Sequence, residues 1–409
     1  MLFPRSLLPA IESHLADKRH TIITGARQVG KTSVLKLIHQ KLKAEGQQVF
    51  QLTLEDSRVL HSINEHPDQV FEHLPTLPTP VDKGQAEARL HLLIDEVQYA
   101  ADPTHFLKFL YDKYEGNLKV VATGSSAFYI DHRFKDSLAG RKRVFQLYPL
   151  SFEESLVFRG ADDLLQAVLS MQERPAYTSP QLAELKSVFY EYLTFGGYPA
   201  VALEPDFSEK KLLLNELKNA YVKRDIAESG VSMEAKFFLL FQLLADQTGG
   251  LVNRNELSKT IQVDTKTVDN YLYVLEKCYH VHLLKPFFRN IQKELTKMPK
   301  VYFNDLGLRN AMLGRFGPVD TRADKGALLE NYFFIRLRQQ YEADQLRFWR
   351  TADQQEIDFV VESSFGEGTA FEVKWNSQGF KPEKLWKFTE AYPNIKLACL
   401  EEADFFRKI

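Results

Sequence analysis

Short apolar runs alternate with stretches whose apolar residues recur every three or four positions through the first 150 residues. That alternation predicts a parallel sheet with crossover helices. Strands are expected at residues 20–24, 48–54, 90–94, 118–123 and 144–147, with a proline-rich loop at 75–84 ahead of the third. After Ser151 the period turns helical, with a polar break at 174–180 and a sharp stop at Gly196-Gly197-Tyr198-Pro199. From Met233 to about Asn290 the pattern reads helix, helix, turn, helix, then apolar strands. The C-terminal residues return to mixed α/β. The expected division is 1–150, 151–231, 232–300 and 301–409, in an α/β multidomain chain.

The first strand runs into Gly25-Ala26-Arg27-Gln28-Val29-Gly30-Lys31-Thr32, with Ser33 continuing into a helix. This is G-x-x-x-x-G-K-[ST] in the strand–loop–helix setting that its chemistry needs. Glycines let backbone N–H groups wrap a phosphate, Lys31 reaches the β- and γ-phosphates, and the Thr32 hydroxyl serves Mg²⁺. The strand at 90–94 ends in Asp95-Glu96, which assigns Asp95 to Mg²⁺ and Glu96 to the attacking water. The strand at 118–123 ends at Gly124-Ser125, and Ser125 is the candidate sensor of the γ-phosphate. ATP and Mg²⁺ are therefore the expected cofactors, and Glu96, Lys31, Ser125 and Arg141 the candidate catalytic residues. For Arg141 two readings stay open: an arginine finger toward a neighbouring subunit, or part of a solvated basic turn with Lys142 and Arg143.

Composition changes the picture little. At 409 residues, with 44% hydrophobic and 26% charged positions, the chain suits several soluble globular domains. No apolar run approaches the roughly 20 residues of a membrane span. The N-terminus lacks the features of an export signal. Two cysteines, Cys278 and Cys399, suit a reducing compartment, so a cytoplasmic location is expected. The net charge of −2 hides a basic stretch, Lys285, Arg289, Lys293, Lys297 and Lys300, opposed only by Glu294.

In the helix, turn, helix stretch, Phe237, Leu240, Phe241 and Leu244 share one face of the first helix. Asp264 suits the N-cap of the third, which buries Val268, Leu272 and Leu275 and leaves Lys266, Thr267, Asp269, Asn270 and Tyr273 outward. A helix of this kind enters the DNA major groove by its N-terminal part. Its own charge is unfavourable, two lysines against three carboxylates, so Lys293, Lys297 and Lys300 are the expected phosphate contacts beside Lys266, Thr267 and Asn270. The alternative is a packing or protein-binding module.

From end to end the chain resembles the bacterial and archaeal AAA+ ATPases that carry a DUF4143 C-terminal region. The likeness rests on Gly25 to Thr32, Leu93 to Gln98, Thr123 to Ala127, Leu138 to Arg141, Phe152-Glu153-Glu154, Tyr192 to Pro199, Tyr221 to Ile226 and Pro299 to Gly307. It implies an AAA+ core, a helical lid, a winged-helix segment and a C-terminal nuclease-like fold. Many AAA+ proteins have Asn where this chain has Ser125.

Three C-terminal segments carry a second constellation: Glu330 on an apolar helix stripe, Glu356-Ile357-Asp358, and Glu372-Val373-Lys374. If the two later segments form a hairpin centred on Phe365, Asp358 faces Glu372 and Glu356 faces Lys374 on one side. Opposed carboxylates about 5 Å apart repel and need a shared cation. This resembles the helix-Glu, Asp, Glu-x-Lys layout of PD-(D/E)xK nucleases, with Glu330, Asp358 and Glu372 as metal ligands and Lys374 beside the attacking water. If no metal binds and Lys374 instead pairs with Asp358 or Glu372, Lys374 is the shared cation and the fold is kept for binding.

The expectation is an ATPase that couples ATP binding and hydrolysis to DNA engagement, with homo-oligomers compatible with Arg141. Its rival is a regulatory NTPase that binds proteins through its helical modules, with an inert nuclease-like domain.

Overall fold

The computed structural model describes residues 2–85, 88–125, 138–174, 176–288, 297–342, 344–407 and 409, with backbone alone at 220–222 and 228. Arg289, Lys293, Ser126 and Ala127 lie outside the described residues. Two compact units emerge, residues 1–148 with 277–279, and residues 149–276 with 280–409.

The first unit is built on five strands: β1 (His20–Thr24), β2 (Gln48–Thr53), β3 (Leu90–Asp95), β4 (Leu118–Gly124) and β5 (Lys142–Gln146). All pair in parallel, in the order β2-β3-β4-β1-β5. β1, β3 and β4 are buried throughout, the signature of a sheet covered on both faces. Helix α1 (Lys31–Ala44) covers it with Val34, Leu35, Ile38 and Leu42, and α2 (Pro103–Tyr114) with Phe106, Leu107 and Leu110. β4 lies between β1 and β3, so the carboxyl ends of all three converge. In open parallel sheets ligands bind at that edge.

The second unit holds helices at Phe152–Phe158 and Asp162–Glu173, then α3 (Leu182–Phe195), α4 (Phe207–Ser229), α5 (Glu234–Asp246), α6 (Arg254–Ile261) and α7 (Thr265–Lys277). A two-stranded antiparallel pair follows, β6 (Val281–Leu284) and β7 (Lys300–Phe303), then α8 (Leu306–Leu313) and α9 (Lys325–Gln340). The chain closes with β8 (Leu346–Arg350), β9 (Glu356–Ser364), β10 (Glu367–Lys374) and β11 (Ile395–Glu401), ordered β11-β10-β9-β8. β8, β9 and β10 are antiparallel, and β11 runs parallel to β10.

The boundaries expected at 231/232 and 300/301 fall inside this unit. The physical reason is a shared core: Phe152, Leu156, Phe189 and Tyr192 of the helical part pack in one cluster with Tyr332, Phe359, Phe371 and Phe405. Phe189 stacks on Phe405 at 4.4 Å between ring centres. An isolated helical layer would leave that apolar face wet. Among the described residues no helix is long and apolar enough to cross a membrane.

Asp305 ties this unit together. Its carboxylate accepts N–H bonds from Gly197 and Leu308, each at 2.7 Å, so it caps α8 and anchors the stop after α3. The approach is close: a Cβ on Gly307 would lie 2.0 Å from the Phe195 carbonyl oxygen. Burial pushes the Asp305 carboxyl up to about 6, against the pull of the N–H groups of Gly197, Leu308 and Gly307. A folded value above the unfolded one means that protonation favours the fold, and this contribution is lost as pH rises through about 6. The gap in unfolding free energy between the parent and Asp305→Asn is expected to narrow from pH 4 to pH 7. Urea denaturation across that range measures it, and a pH-independent gap would mean that the carboxyl titrates normally in the fold.

Candidate functional site

The phosphate loop leaves β1 at Gly25 and enters α1 at Lys31, with Gly30 at its N-cap in a left-handed conformation, φ +98°. A Cβ on Gly25 would lie 2.1 Å from the Leu147 carbonyl oxygen, so only glycine lets the loop pass. Gln28 also has positive φ, +58°, and Val29 is fully buried beneath the loop. Ala26 and Arg27 are buried, and Ser33 is half-buried on the first turn of α1. Lys31 is buried, and its ammonium donates to the carbonyls of Gly25 (3.0 Å) and Ala26 (2.8 Å), which aims it into the curl of the loop. Arg5, absent from the sequence-based set, clamps the loop from outside by donating to the carbonyls of Val29 and Tyr148, each at 2.7 Å. Tyr279 is another such residue. Its hydroxyl donates to Thr24 Oγ1 at 2.7 Å, directly before the loop.

The acidic pair sits beside the loop because β3 and β1 flank the same central strand. Thr32 Oγ1 donates to Asp95 Oδ2 at 2.7 Å. The Thr123 hydroxyl donates to the other Asp95 oxygen and accepts the Glu96 backbone N–H at 3.0 Å. Glu96 turns the chain with φ +57°, a costly conformation for a side-chain-bearing residue and one that gathers at functional sites. Ser125 is buried at the end of β4, where Gln98 Nε2 donates to its Oγ at 2.9 Å. The structure thus brings together Gly25 through Ser33, Asp95, Glu96 and Ser125. It adds Thr123 and Gln98, which lie in stretches that carry the family likeness but to which the sequence alone assigns no role. The donor set fits a magnesium nucleotide: loop amides and an ammonium for phosphate, a hydroxyl and a carboxylate for a hard cation.

Arg141 stands at the other end of the sheet. Its carbonyl accepts the His20 N–H at the start of β1, and five residues at about 3.3 Å each separate that point from the loop. Its guanidinium pairs with Asp112 at 2.7 Å. It is therefore out of reach of its own chain's phosphate loop.

In the second unit, α5, α6 and α7 fall where the periodicity places them. Phe237, Leu240, Phe241 and Leu244 are buried, as are Val268, Leu272 and Leu275, joined by Tyr271 and Val274. Asp264 caps α7 by accepting the Thr267 N–H at 2.6 Å. Lys266 and Asn270 are exposed, Thr267 is half-buried, and Lys297 is exposed.

Lys300 is a correction. Expected as a surface phosphate contact, it is 1% exposed at the start of β7. Its ammonium lies 3.2 Å from Glu330, 2.6 Å from Glu356 and 3.2 Å from Asp358. Burial alone would depress the lysine, but Glu330, Tyr302, Asp358 and Glu356 hold it well above its ordinary value. The charge that looked like part of a basic surface is the counterion of the carboxylate cluster.

That cluster forms nearly as expected. The turn is Phe365-Gly366 rather than one centred on Phe365. A bulge between Glu367 and Gly368 then restores the register that pairs Phe371 with Phe359 and brings Glu372 beside Asp358. Asp358 has a partner on each oxygen: Oδ1 takes Lys300 and Oδ2 accepts the Val373 N–H at 2.9 Å. Glu330 accepts the Tyr302 hydroxyl at 2.5 Å. Lys374 pairs with Glu372 at 2.5 Å, not with Glu356, which takes Arg350 instead. Burial, then the charge of Asp358, pushes Glu330 and Glu372 each up to about 7. Among the described residues no three His, Cys, Asp or Glu side chains form a metal-holding group. The residues do not fit the metal expected at Glu330, Asp358 and Glu372, because the Lys300 ammonium lies between Glu330 and Asp358 and the Lys374 ammonium takes Glu372.

Comparison with known proteins finds three family models along the chain. Residues 17–156 match the AAA domain model, 325–404 match the DUF4143 domain of unknown function, and 186–318 match a second domain of unknown function, DUF8612. An uncharacterized protein of Haemophilus influenzae is 25% identical over 352 residues, covering 83% of this chain and 78% of that one. One from Methanocaldococcus jannaschii is 27% identical over 328 residues, covering 77% and 67%. Among solved structures, the replication initiator DnaA bound to AMPPCP and single-stranded DNA superposes with a TM-score of 0.29 at 13% identity, covering 68% of this chain and 90% of that one. Cdc6p from Pyrobaculum aerophilum gives 0.28 at 11%, covering 75% and 91%. At that level of superposition neither neighbour bears on activity or partners. The chain thus carries its phosphate loop in an AAA domain and its carboxylate cluster in a C-terminal DUF4143 domain.

Proposed function

We propose that the protein is an ATP hydrolase whose nucleotide cycle governs its hold on DNA. The observation that carries this reading is the hydrogen-bonded chain Thr32–Asp95–Thr123 beside the phosphate loop, with Glu96 held next to it. The amides of residues 25–33 and Lys31 take the phosphates. Thr32 and Asp95 would hold Mg²⁺, which neutralises phosphate charge when bound. Glu96 accepts a proton from the water whose oxygen attacks the γ-phosphorus. The bond to the bridging oxygen breaks, giving ADP and phosphate. Ser125 is the contact for the γ-phosphate. Arg141 serves only a neighbouring copy's site, so a homo-oligomer belongs to this reading, as does a cytoplasmic location.

The DNA half rests on the order α6, turn, α7, then the β6–β7 pair, which is that of a winged helix. Lys266 and Asn270 face outward on the first turns of α7, and Lys285 and Lys297 are exposed nearby in the chain. We read the DUF4143 domain as a nuclease-like fold that holds nucleic acid without cutting it, since lysine stands in for metal. Lys266→Ala and Lys297→Ala should each lower the salt dependence of duplex binding by about one unit of slope, and Lys300→Met should leave the slope unchanged. Titrations of labelled duplex at several salt concentrations, with and without a non-hydrolysable ATP analogue, measure this. The Arg254–Asp269 pair at 2.5 Å occupies one cation of the module and favours the protein-binding rival. Absence of binding to any nucleic acid at low salt would decide for that rival.

A further inference from the structure

The side chain of Gln98 makes three hydrogen bonds beside Glu96, and neither motif chemistry nor the family match gives it a role. It is 4% exposed, on the single turn Val97–Tyr99 that follows the left-handed residue Glu96. That backbone reversal brings Gln98 back against the end of β4. Its Nε2 donates both to the Glu96 carboxylate and to Ser125 Oγ (2.9 Å), and its Oε1 accepts the Ser125 N–H at 3.4 Å. An amide nitrogen has two hydrogens, so both are used. The opposite amide orientation would set Oε1 against the Glu96 carboxylate and Nε2 against the Ser125 N–H, two repulsions in a buried place. The orientation is therefore fixed by chemistry.

We propose that Gln98 is a positioning residue for hydrolysis, binding the candidate base Glu96 to the candidate sensor Ser125 so that the two move as one body. The proposal rests on the ATP hydrolase reading. A carboxylate that accepts a water proton works best with one oxygen held and the other presented to the water. Gln98 holds one oxygen of Glu96. Because the same nitrogen also holds Ser125, a γ-phosphate that engages Ser125 sets the angle of the carboxylate through a single rigid amide.

Steady-state ATP hydrolysis from pH 5.5 to 9 and nucleotide affinity, read with a fluorescent ATP analogue, test this in the full-length protein. The set is the parent, Glu96→Gln, Ser125→Ala, Gln98→Ala, Ser125→Ala combined with Gln98→Ala, and Gln98→Glu. Gln98→Ala should lower kcat about tenfold or more, with nucleotide Kd within about threefold of the parent. The double variant should lose no more than the worse single one, because both break one linkage. Gln98→Glu keeps the shape but sets a second carboxylate against Glu96. It should move the acid limb of the kcat profile to higher pH by about one unit or more, since a like charge disfavours ionisation. A residue that merely supports the fold would leave that limb in place. A Gln98→Ala kcat within twofold of the parent, losses that multiply in the double variant, or an unmoved acid limb in Gln98→Glu would each overturn the proposal. An active parent with an inactive Glu96→Gln places such a failure on Gln98 alone. A parent that binds ATP without hydrolysing it overturns both this role and the hydrolase reading.

Discussion

Glu96→Gln is expected to lower ATP turnover by about two orders of magnitude or more, while ATP affinity stays within a few-fold of the parent. Glutamine preserves shape and hydrogen bonding but cannot take a proton, and a positioned general base contributes about 10²–10⁴-fold. Lys31→Ala should act on the other quantity. Its ammonium is buried in the loop, and losing charge-assisted bonds worth roughly 1.5–3 kcal/mol each should weaken ATP binding by about tenfold or more. Thr123→Val separates geometry from chemistry. It keeps the volume in β4 but removes the hydroxyl that joins Asp95 to the Glu96 backbone, so turnover should fall in a protein that still folds and binds nucleotide. Filter binding of labelled ATP and a phosphate-release assay give the two readouts. Undiminished hydrolysis by Glu96→Gln would remove Glu96 from the role of base.

The second large effect is on stability. Lys300→Met should destabilise the second unit by about 3–5 kcal/mol, the usual result of removing one partner from a buried ion pair. Glu330, Glu356 and Asp358 all face Lys300, so the variant keeps several carboxylates and loses the cation they share. Replacing Glu330 or Glu356 by Gln in the same chain should recover part of the loss. Acid should help as well. Glu330 titrates near 7 even with the lysine present, above its unfolded value, so its neutral form favours the fold and that contribution fades as pH rises through 7. Urea denaturation at pH 6 and pH 8 reads these changes. In the parent, millimolar Mn²⁺ should leave the unfolding transition unmoved and support no DNA cleavage. A metal-dependent shift would return Glu330, Asp358 and Glu372 to the role of ligands.

This arrangement gives helix α9 and the C-terminal sheet a reason to keep four acidic side chains that does not require catalysis. Two lysines and an arginine divide them: Lys300 faces three, Lys374 takes Glu372, and Arg350 takes Glu356. A buried network so arranged specifies the strand register, because a slip by one residue would turn every carboxylate of β9 to the other face.

The sequence by itself determined those features whose residues are neighbours along the chain. Gly25 through Thr32 forms its loop because the glycines, the lysine and the helix start are consecutive. Asp95-Glu96 ends a strand because Leu90, Leu92, Leu93 and Ile94 before it must be buried. The helices over 234–246 and 265–277 follow from apolar period and a capping aspartate, and alternation puts Asp358 and Glu372 on strand faces, while the bulge after Glu367 that brings them together is not local pattern. Contacts between distant segments were decided only by the tertiary structure. Thr123 reaches Asp95 because β4 lies between β1 and β3, an order that no local pattern encodes. Gln98 meets Ser125 because Glu96 adopts a left-handed turn that glutamate rarely takes. Arg5 finds the loop across 24 residues, and Asp305 finds Gly197 across 108. Lys300 is the clearest case. In sequence it closes a run of lysines and an arginine and reads as surface charge. Burial is a property of what packs around a residue, and the carboxylates that make a buried lysine stable come from α9 and β9, 30 and 58 residues further along the chain.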